Sequence, residues 1–238
     1  GASANACRTL SMRLKEIGAH LLQCDPEDTQ LREGAVFGGV GSVSIAEIAR
    51  TAHVRQDLLP DGVKPTLEET VVYEPEITSG VFTYSTHAAV VLVDLDTGEV
   101  EIENYAIAED CGTVVNPMIV DGQIYGGVAQ GIGTALFEEI PYDDYGQPLA
   151  STFADYHWPG PTSFPSFRVI HMLTPAEGTE YGMKGMGEGG AIAPPAAIAN
   201  AVRDALLSGG IDADIDETPM SPRRIYTAVQ RARSKDQM

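Results

Sequence analysis

The sequence is poor in cysteine, and it lacks long apolar runs. Its three cysteines, Cys7, Cys24 and Cys111, are odd in number and widely spaced, and they form no C-x-x-C pattern. This usage predicts reduced thiols in the cytoplasm and no cysteine-based metal site. No apolar run approaches the length that spans a membrane, and no signal peptide is visible.

Positive charge is also scarce. The 238 residues include 15 Lys and Arg against 34 Asp and Glu, which gives a formal net charge of −19. This balance argues against nucleic acid or an anionic membrane as a partner. The acids are spread along the chain, with a local excess at residues 212–217, as is typical of a solvated surface. The 43% of hydrophobic residues is enough for the core of one large or two small domains.

The most informative stretch is a glycine-rich segment followed by a helix. Residues 182–190 contain five glycines, one cation, Lys184, and one acid, Glu188. Two prolines then open a helix whose apolar positions recur on one face at Ile198, Val202 and Leu206. Glycines let a backbone approach a ligand closely, so a lone carboxylate in this turn is placed for chemistry. We therefore predict that Glu188 is catalytic.

Two other interpretations of this segment remain open. Gly185, Gly187 and Gly190 have the spacing G-x-G-x-x-G, which also occurs in dinucleotide-binding turns. Such a turn follows a buried strand, whereas residues 179–184 make a poor strand and two prolines begin the helix. The segment could also be a structural connector rich in glycine.

The first third of the sequence predicts a helix, a polar segment and a second short helix. The first helix starts at the N-terminal residues without an initial Met, as expected for a piece of a longer protein. Its apolar stripe comprises Leu10, Leu14, Ile17 and Leu21. Ser44, with Glu47 three residues later, has the capping-box spacing. The loop near residues 59–66 is the best internal boundary, although such loops also occur within domains.

The pattern then changes to a period of two, which indicates strands. We expect strands at 69–73 and 78–95, a turn at 96–98 and a returning strand at 99–103, which form an antiparallel hairpin. Further strands are expected at 137–140 and 167–171. His87 lies within the hairpin, and we interpret it as a hydrogen-bonded core or edge histidine. The predicted fold class is α+β.

A helix at 118–133 contains five glycines, each of which costs an isolated helix about 1 kcal/mol. That cost is explained if another backbone or a bulky ligand packs against the helix. Gln123 and Gln130 are seven residues apart and share a face, where their amides suit a neutral heterocycle or a metal-oxo group. The alternative is close helix packing through the glycines. The aromatic loop at 152–167 could wall a pocket or cover a core.

Three segments carry a resemblance to a known family. They are DCGTVVNPMIVDGQIYGGVAQGIG from Asp110, LFEEIPYDDYGQPLASTFADYHWP from Leu136, and KGMGEGGAIAPPAAIANAVRDAL from Lys184. They resemble the C-terminal portion of the molybdenum-binding large subunit of the xanthine dehydrogenase and aldehyde oxidase family. The bacterial carbon monoxide dehydrogenase-like and N-heterocycle dehydrogenase branch is the most similar. The N-terminal helix extends the resemblance to nearly the whole chain, which implies one molybdopterin-binding domain over 1–238, with mixed antiparallel strands and packed helices.

The resemblance implies roles for particular residues. Glu188 matches the catalytic base of the family, and Gln123 matches a glutamine that hydrogen-bonds the pterin near the metal. The remaining matches line the pterin-dinucleotide site, namely Gln130, Gly131, Lys184, Gly185, Met186 and Gly187. Asp110 and Asn116 match a segment where an ordering role and a ligand contact are both possible. Molybdenum itself would be held through the pterin, with no side-chain ligand.

The same resemblance implies the cofactors, partners and reaction. The cofactor would be molybdenum-molybdopterin in its cytosine dinucleotide form, with the upstream half of the site on an N-terminal molybdenum-domain chain. A [2Fe-2S] subunit and an FAD subunit would complete a cytoplasmic complex. The reaction would hydroxylate an electron-poor carbon of a small N-heterocycle, purine or aldehyde with oxygen from water. The alternatives are a carbon monoxide dehydrogenase fragment and a non-catalytic cofactor-holding or assembly chain, and the presence of Glu188 favours a catalytic role.

Overall fold

The computed structural model describes residues 1–39, 41–77 and 79–235. The chain divides into two compact units, residues 1–78 and residues 79–238. Helices and antiparallel strands occur in both, so the predicted α+β class is confirmed.

The first unit is built on helix α1, Ala2–Leu22, as the apolar stripe predicted. Its Ile17 packs into a small core with residues of a three-stranded antiparallel sheet, β1 (Gln30–Arg32), β2 (Ala35–Gly38) and β3 (Gly41–Ser44), ordered β1-β2-β3. Helix α2, Ile45–Val54, covers the same core. It starts as predicted, because the Ser44 side chain accepts a hydrogen bond from Glu47 N at 3.1 Å.

The segment after α2 belongs to the first unit. Leu59, Val63 and Leu67 pack on the core of that unit, so the boundary expected near residues 59–66 lies within it and the division falls after residue 78. The strand predicted at 69–73 is wrong, because this stretch pairs with no strand. Arg13 holds the preceding residues instead, with Nη1 donating to the carbonyls of Thr66 and Glu68 at 2.9 and 3.1 Å. The carbonyl groups just before this stretch are thus satisfied by a side chain and not by a neighbouring strand.

The second unit contains a mixed three-stranded sheet. Strand β4, Tyr84–Val93, pairs antiparallel with β5, Val100–Asp110, around the predicted turn, with a register shift between Val90 and Val91. The first strand of the hairpin was predicted over 78–95, and the observed strand is shorter than that. Residue 78 lies outside the described residues. Strand β6, Phe167–His171, was predicted correctly, but it pairs parallel to β5. His87 Nδ1 lies 2.9 Å from the Tyr105 hydroxyl, which confirms a hydrogen-bonded strand histidine.

Three helices complete the second unit and its core. Helix α3 is Pro117–Ile132, α4 is Pro194–Ser208 and α5 is Pro222–Lys235. The predicted stripe of α4 is buried in the main core. The strand predicted at 137–140 is wrong, because a π-helical turn, Gly133–Phe137, continues α3 to this point. Beyond it, Glu138 accepts a hydrogen bond from the Tyr156 hydroxyl and Glu139 pairs with Arg224.

None of the helices in the described ranges is both long enough and apolar enough to cross a membrane.

Candidate functional site

The turn that carries Glu188 is attached to the end of the sheet by its backbone. Gly185 N donates to Val81 O at 3.1 Å, and Thr83 N donates to Gly185 O at 3.2 Å. Lys184 N donates to Cys111 O at 3.0 Å, just beyond the end of β5. These backbone hydrogen bonds thus fix the chain on two sides at the start of the turn, ahead of helix α4.

Backbone conformations that favour glycine make this approach possible. Gly112 has a φ of +67°, and a Cβ on it would lie 2.2 Å from Gly182 O. Gly182 also has a positive φ, of +74°, after Tyr181 at +58°. Only a residue without a side chain fits at Gly112, which explains the glycine of the D-C-G segment.

Lys184 and Asp110 form a buried ion pair beneath the turn. Lys184 Nζ lies 2.9 Å from Asp110 Oδ1 and 3.6 Å from the centroid of the Tyr84 ring. Burial opposes the ionisation of Asp110, but hydrogen bonds from Thr174 and Lys184 hold the pKa of its carboxyl well below its ordinary value. Burial likewise works to lower the pKa of Lys184, but hydrogen bonds with Tyr84 and Asp110 raise it overall. Asp110 therefore has an ordering role, and the ammonium group of Lys184 is engaged within the protein.

The glycines of α3 bring that helix against the Glu188 turn. A Cβ on Gly127 would lie 2.8 Å from Ala191 N, and one on Gly131 would lie 2.8 Å from the Pro194 ring. From the other side, a Cβ on Gly190 would lie 2.6 Å from Ile124 O and 3.2 Å from Gln123 O. Packing on the backbone of Gly190 and Ala191 explains Gly127, and packing on the Pro194 ring explains Gly131. Both agree with the interpretation of close helix packing through the glycines.

Two other glycines of α3 are open. Within the described residues, a Cβ on Gly122 or Gly126 would meet no heavy atom within 4 Å. Met118 and Ile119, one turn earlier, are 75% and 58% exposed. The same helix therefore has one face packed on the turn and another, apolar face uncovered in this chain.

Glu188 itself is exposed at the tip of the turn. Its carbonyl accepts a hydrogen bond from Ala191 N at 2.9 Å, and Met186 O accepts one from Gly189 N at 3.4 Å, so the turn is closed internally. Within the described part of the chain, the N–H groups of Met186, Gly187 and Glu188 have no acceptor. Three consecutive N–H groups without a protein acceptor in the described chain thus lie beside an exposed carboxylate, where they are available to the acceptor atoms of a ligand.

The two glutamines lie on α3, and both are exposed. The backbone of Gln123 is next to Gly190, so the structure brings this residue and the Glu188 turn together. Gln130 lines a pocket of about 370 Å³ with Glu138, Trp158 and Phe164. The aromatic loop at 152–167 therefore does wall a pocket. Asn116 caps α3 instead of facing a ligand, because its side chain accepts from Met118 N at 3.1 Å.

Sequence reasoning missed the residues underneath the turn. Glu109 is 1% exposed, and its carboxyl accepts a hydrogen bond from the Thr83 hydroxyl. Ser85 Oγ donates to Gly189 O at 3.4 Å. A signal for Glu109 was available, because it continues the alternation of Tyr105 and Ile107 along the buried face of β5.

Among the described residues, no group of three or more His, Cys, Asp and Glu side chains is placed to hold a metal ion. The free N–H groups at 186–188 and the open space at Gly187 fit an organic cofactor held through its polar atoms. The alternative of a dinucleotide-binding turn does not apply, because the residues before Lys184 form a 3₁₀ turn, Glu180–Gly182, and no buried strand.

Known proteins are similar to this chain in sequence and in fold. A family described as the molybdopterin cofactor-binding domain matches residues 1–165. The nicotine 6-hydroxylase large subunit of Paenarthrobacter nicotinovorans is 38% identical over 233 residues, which is 97% of this chain and 28% of the relative. The carbon monoxide dehydrogenase large chain of Hydrogenophaga pseudoflava is 30% identical over 88% of this chain and 26% of its own length.

A solved structure extends the match to the fold. Quinoline 2-oxidoreductase from Pseudomonas putida 86 has a TM-score of 0.80 and 37% sequence identity, over 94% of this chain and 28% of the matched one. The chain thus spans little more than a quarter of these relatives, and the match includes the turn at Glu188. It belongs to the molybdopterin cofactor-binding domain family, within the molybdenum-binding large subunits of the xanthine dehydrogenase type.

Proposed function

We propose that this chain forms part of the active site of a molybdenum hydroxylase and that Glu188 is its catalytic base. The observation that carries the proposal is the turn at 185–190, which presents an exposed carboxylate next to three free backbone N–H groups. A general base must reach the proton that it removes, and a rigid support fixes its distance from that proton. The backbone bonds of Gly185 and the packing of Gly190 on α3 supply that support.

The molybdenum cofactor, when bound, would supply the redox chemistry and the activated oxygen. The N–H groups of Met186 and Gly187 would hold acceptor atoms of the cofactor, and the Gln123 amide would hydrogen-bond the pterin. Gln130 and Gly131, with the backbone from Lys184 to Gly187, would line the rest of its site. Glu188 would take up a proton at its carboxylate as the oxygen is transferred to the substrate.

An N-heterocycle is the substrate class that the comparisons favour. The two relatives with 37–38% identity are named for nicotine 6-hydroxylase and quinoline 2-oxidoreductase, and both names refer to N-heterocycles. The carbon monoxide dehydrogenase relative is less similar, at 30% identity. We therefore favour hydroxylation of an electron-poor carbon in such a ring over oxidation of carbon monoxide.

The complete enzyme would contain further parts. One domain, residues 1–238, would supply half of the cofactor site, and an N-terminal molybdenum-domain segment or chain would supply the other half. Relatives named as large subunits or as a complex subunit gamma support a multisubunit assembly. We propose the cytosine dinucleotide form of the cofactor, partner subunits with [2Fe-2S] and FAD, and a cytoplasmic location.

Replacing Glu188 with Gln in the assembled enzyme tests the role of the base. The amide keeps the shape but cannot accept the proton, so turnover should fall about 10²–10⁴-fold while molybdenum content is retained. Glu177→Gln removes an exposed acid that lies before the turn and is the matched control, with activity like the parent enzyme. Near-full turnover in Glu188→Gln would exclude this residue as the base.

A further inference from the structure

A second carboxyl group lies directly beneath the catalytic turn. A Cβ on Gly189, the residue after Glu188, would lie 2.6 Å from Glu109 Oε1 and 2.9 Å from Thr83 Cγ2. Glu109 is on β5 and is directly opposite Ser85 of β4, which donates to Gly189 O. The turn therefore rests on a platform of three polar side chains, Thr83, Ser85 and Glu109.

No cation forms an ion pair with Glu109 among the residues that the structure describes. The buried ammonium group nearby, Lys184, is paired with Asp110. His171 lies opposite Glu109 in the parallel register, but its Nε2 is 2.8 Å from Asp121 Oδ1. Within the described residues, Glu109 takes part in no salt bridge, and its Oε2 is buried without a hydrogen-bond partner.

An ionised carboxylate in this position would be poorly stabilised, because a buried charge requires a paired cation or several donors. Burial raises the pKa of Glu109, and the negative charge of Asp110 raises it further, whereas hydrogen bonds from Thr83 and Ser85 and the charge of His171 lower it. A charged Glu109 would also lie next to the negative charge of Asp110. The burial of Glu109 and its lack of an ion-pair partner among the described residues both favour an uncharged side chain.

We propose that Glu109 is a positioning residue, a protonated carboxylic acid that supports Gly189 from below and so fixes the turn that presents Glu188. In this role Glu109 touches neither substrate nor cofactor. It fixes the position of the base through Gly189. This inference rests on the proposed role of Glu188.

The position predicts a particular order among variants of Glu109. Glu109→Asp withdraws the carboxyl by one methylene and removes the contact with Gly189, so the turn shifts and turnover should fall about 10- to 100-fold. Glu109→Gln keeps the length and the neutral state, so it should keep a larger share of turnover than the Asp variant. Glu103→Gln changes an exposed acid on the same strand and is the matched control.

The pH profile separates positioning from simple structural support. In the parent enzyme, ionisation of Glu109 at alkaline pH places an unpaired buried charge beneath Gly189, so the turn should shift and turnover should decline there. Glu109→Gln cannot ionise and should lack that decline. Thr83→Val removes a hydrogen bond that lowers the pKa of Glu109, so the decline should move to higher pH. A role in folding alone would move none of these features.

The experiment uses the assembled enzyme with its molybdenum content measured, and it adds infrared spectra that do not depend on turnover. The parent at neutral pH should show the C=O band of a protonated carboxyl group, shifted by ¹³C-glutamate and absent in Glu109→Gln. A band that survives in Glu109→Gln, or an Asp variant with parental turnover, overturns the proposal. If Glu188→Gln keeps full turnover while the band is lost in Glu109→Gln, the role of the base fails and Glu109 is still a neutral buried acid.

Discussion

The packing of α3 on the Glu188 turn can be tested with two glycines from the same helix. Alanine at Gly122 or Gly127 should gain about 1 kcal/mol of helix propensity. At Gly127, however, the new Cβ would lie 2.8 Å from Ala191 N and from Gly190 C, which are backbone atoms that no side-chain rotation can move away. Overpacking of this kind costs about 1–3 kcal/mol.

At Gly122 the new Cβ meets no heavy atom of the described chain within 4 Å. Gly122→Ala should therefore raise the free energy of unfolding by about 1 kcal/mol. The two variants should differ by about 1–3 kcal/mol, which is the overpacking cost alone, with Gly127→Ala the less stable. Urea unfolding of the chain at low protein concentration, followed by circular dichroism, measures this difference.

Equal midpoints for the two variants would refute the reasoning, because propensity would then be the only effect. The assembled enzyme gives a second comparison. If the open face of α3 at Gly122 and Gly126 receives another backbone or the cofactor, Gly122→Ala should lower molybdenum content there although it stabilises the isolated chain. Stabilisation in both states would show that nothing packs closely on this face.

Three other predictions concern the ion pair, the cofactor and assembly. Lys184→Met should lower the unfolding midpoint by leaving Asp110 charged and buried, and Asp110→Asn/Lys184→Met should recover part of the loss. Folding lowers the pKa of Asp110, so the contribution of the ion pair to stability should be complete above the unfolded pKa of about 3.9. It should fade as pH falls towards the folded pKa, and acid titration of the parent and of Lys184→Met would show this. Gln123→Ala should weaken cofactor binding by roughly 1–3 kcal/mol, and unchanged molybdenum occupancy would contradict the predicted contact. The chain alone should associate through exposed apolar residues such as Met118 and Ile119, and a compact monomer in size-exclusion chromatography with mass measurement would contradict this expectation.

Local patterns predicted the elements that local forces determine. The stripe of α1, the Ser44 cap of α2, the hairpin and the buried face of α4 all follow from spacing along the chain. The prediction of a strand at 69–73 was wrong because these residues are not part of a sheet. The residues before them are held by hydrogen bonds from Arg13, which is more than 50 residues earlier in the chain. No sequence period records such a distant partner.

The site shows the same division. Glu188 could be predicted from glycines and prolines in its own segment, and it does lie in an exposed turn before a helix. The use of Lys184 could not be predicted, because its partner Asp110 is 74 residues away and the sequence shows only two unlike charges. A lysine in a glycine-rich turn suggests a ligand contact, whereas this side chain is 1% exposed and neutralised within the fold.

Glu109 and Glu188 illustrate how environment assigns different tasks to one residue type. Glu188 is exposed and stands beside free N–H donors, where a carboxylate can be solvated and can accept a proton. Glu109 lies on β5 and is buried beneath Gly189, the residue after Glu188, without an ion-pair partner among the described residues. Pairs of carboxyl groups whose surroundings favour opposite protonation states are a common arrangement in acid–base sites. In the composition both residues are simply acids. They differ in the fold, because the register of β5 buries Glu109 and the turn exposes Glu188.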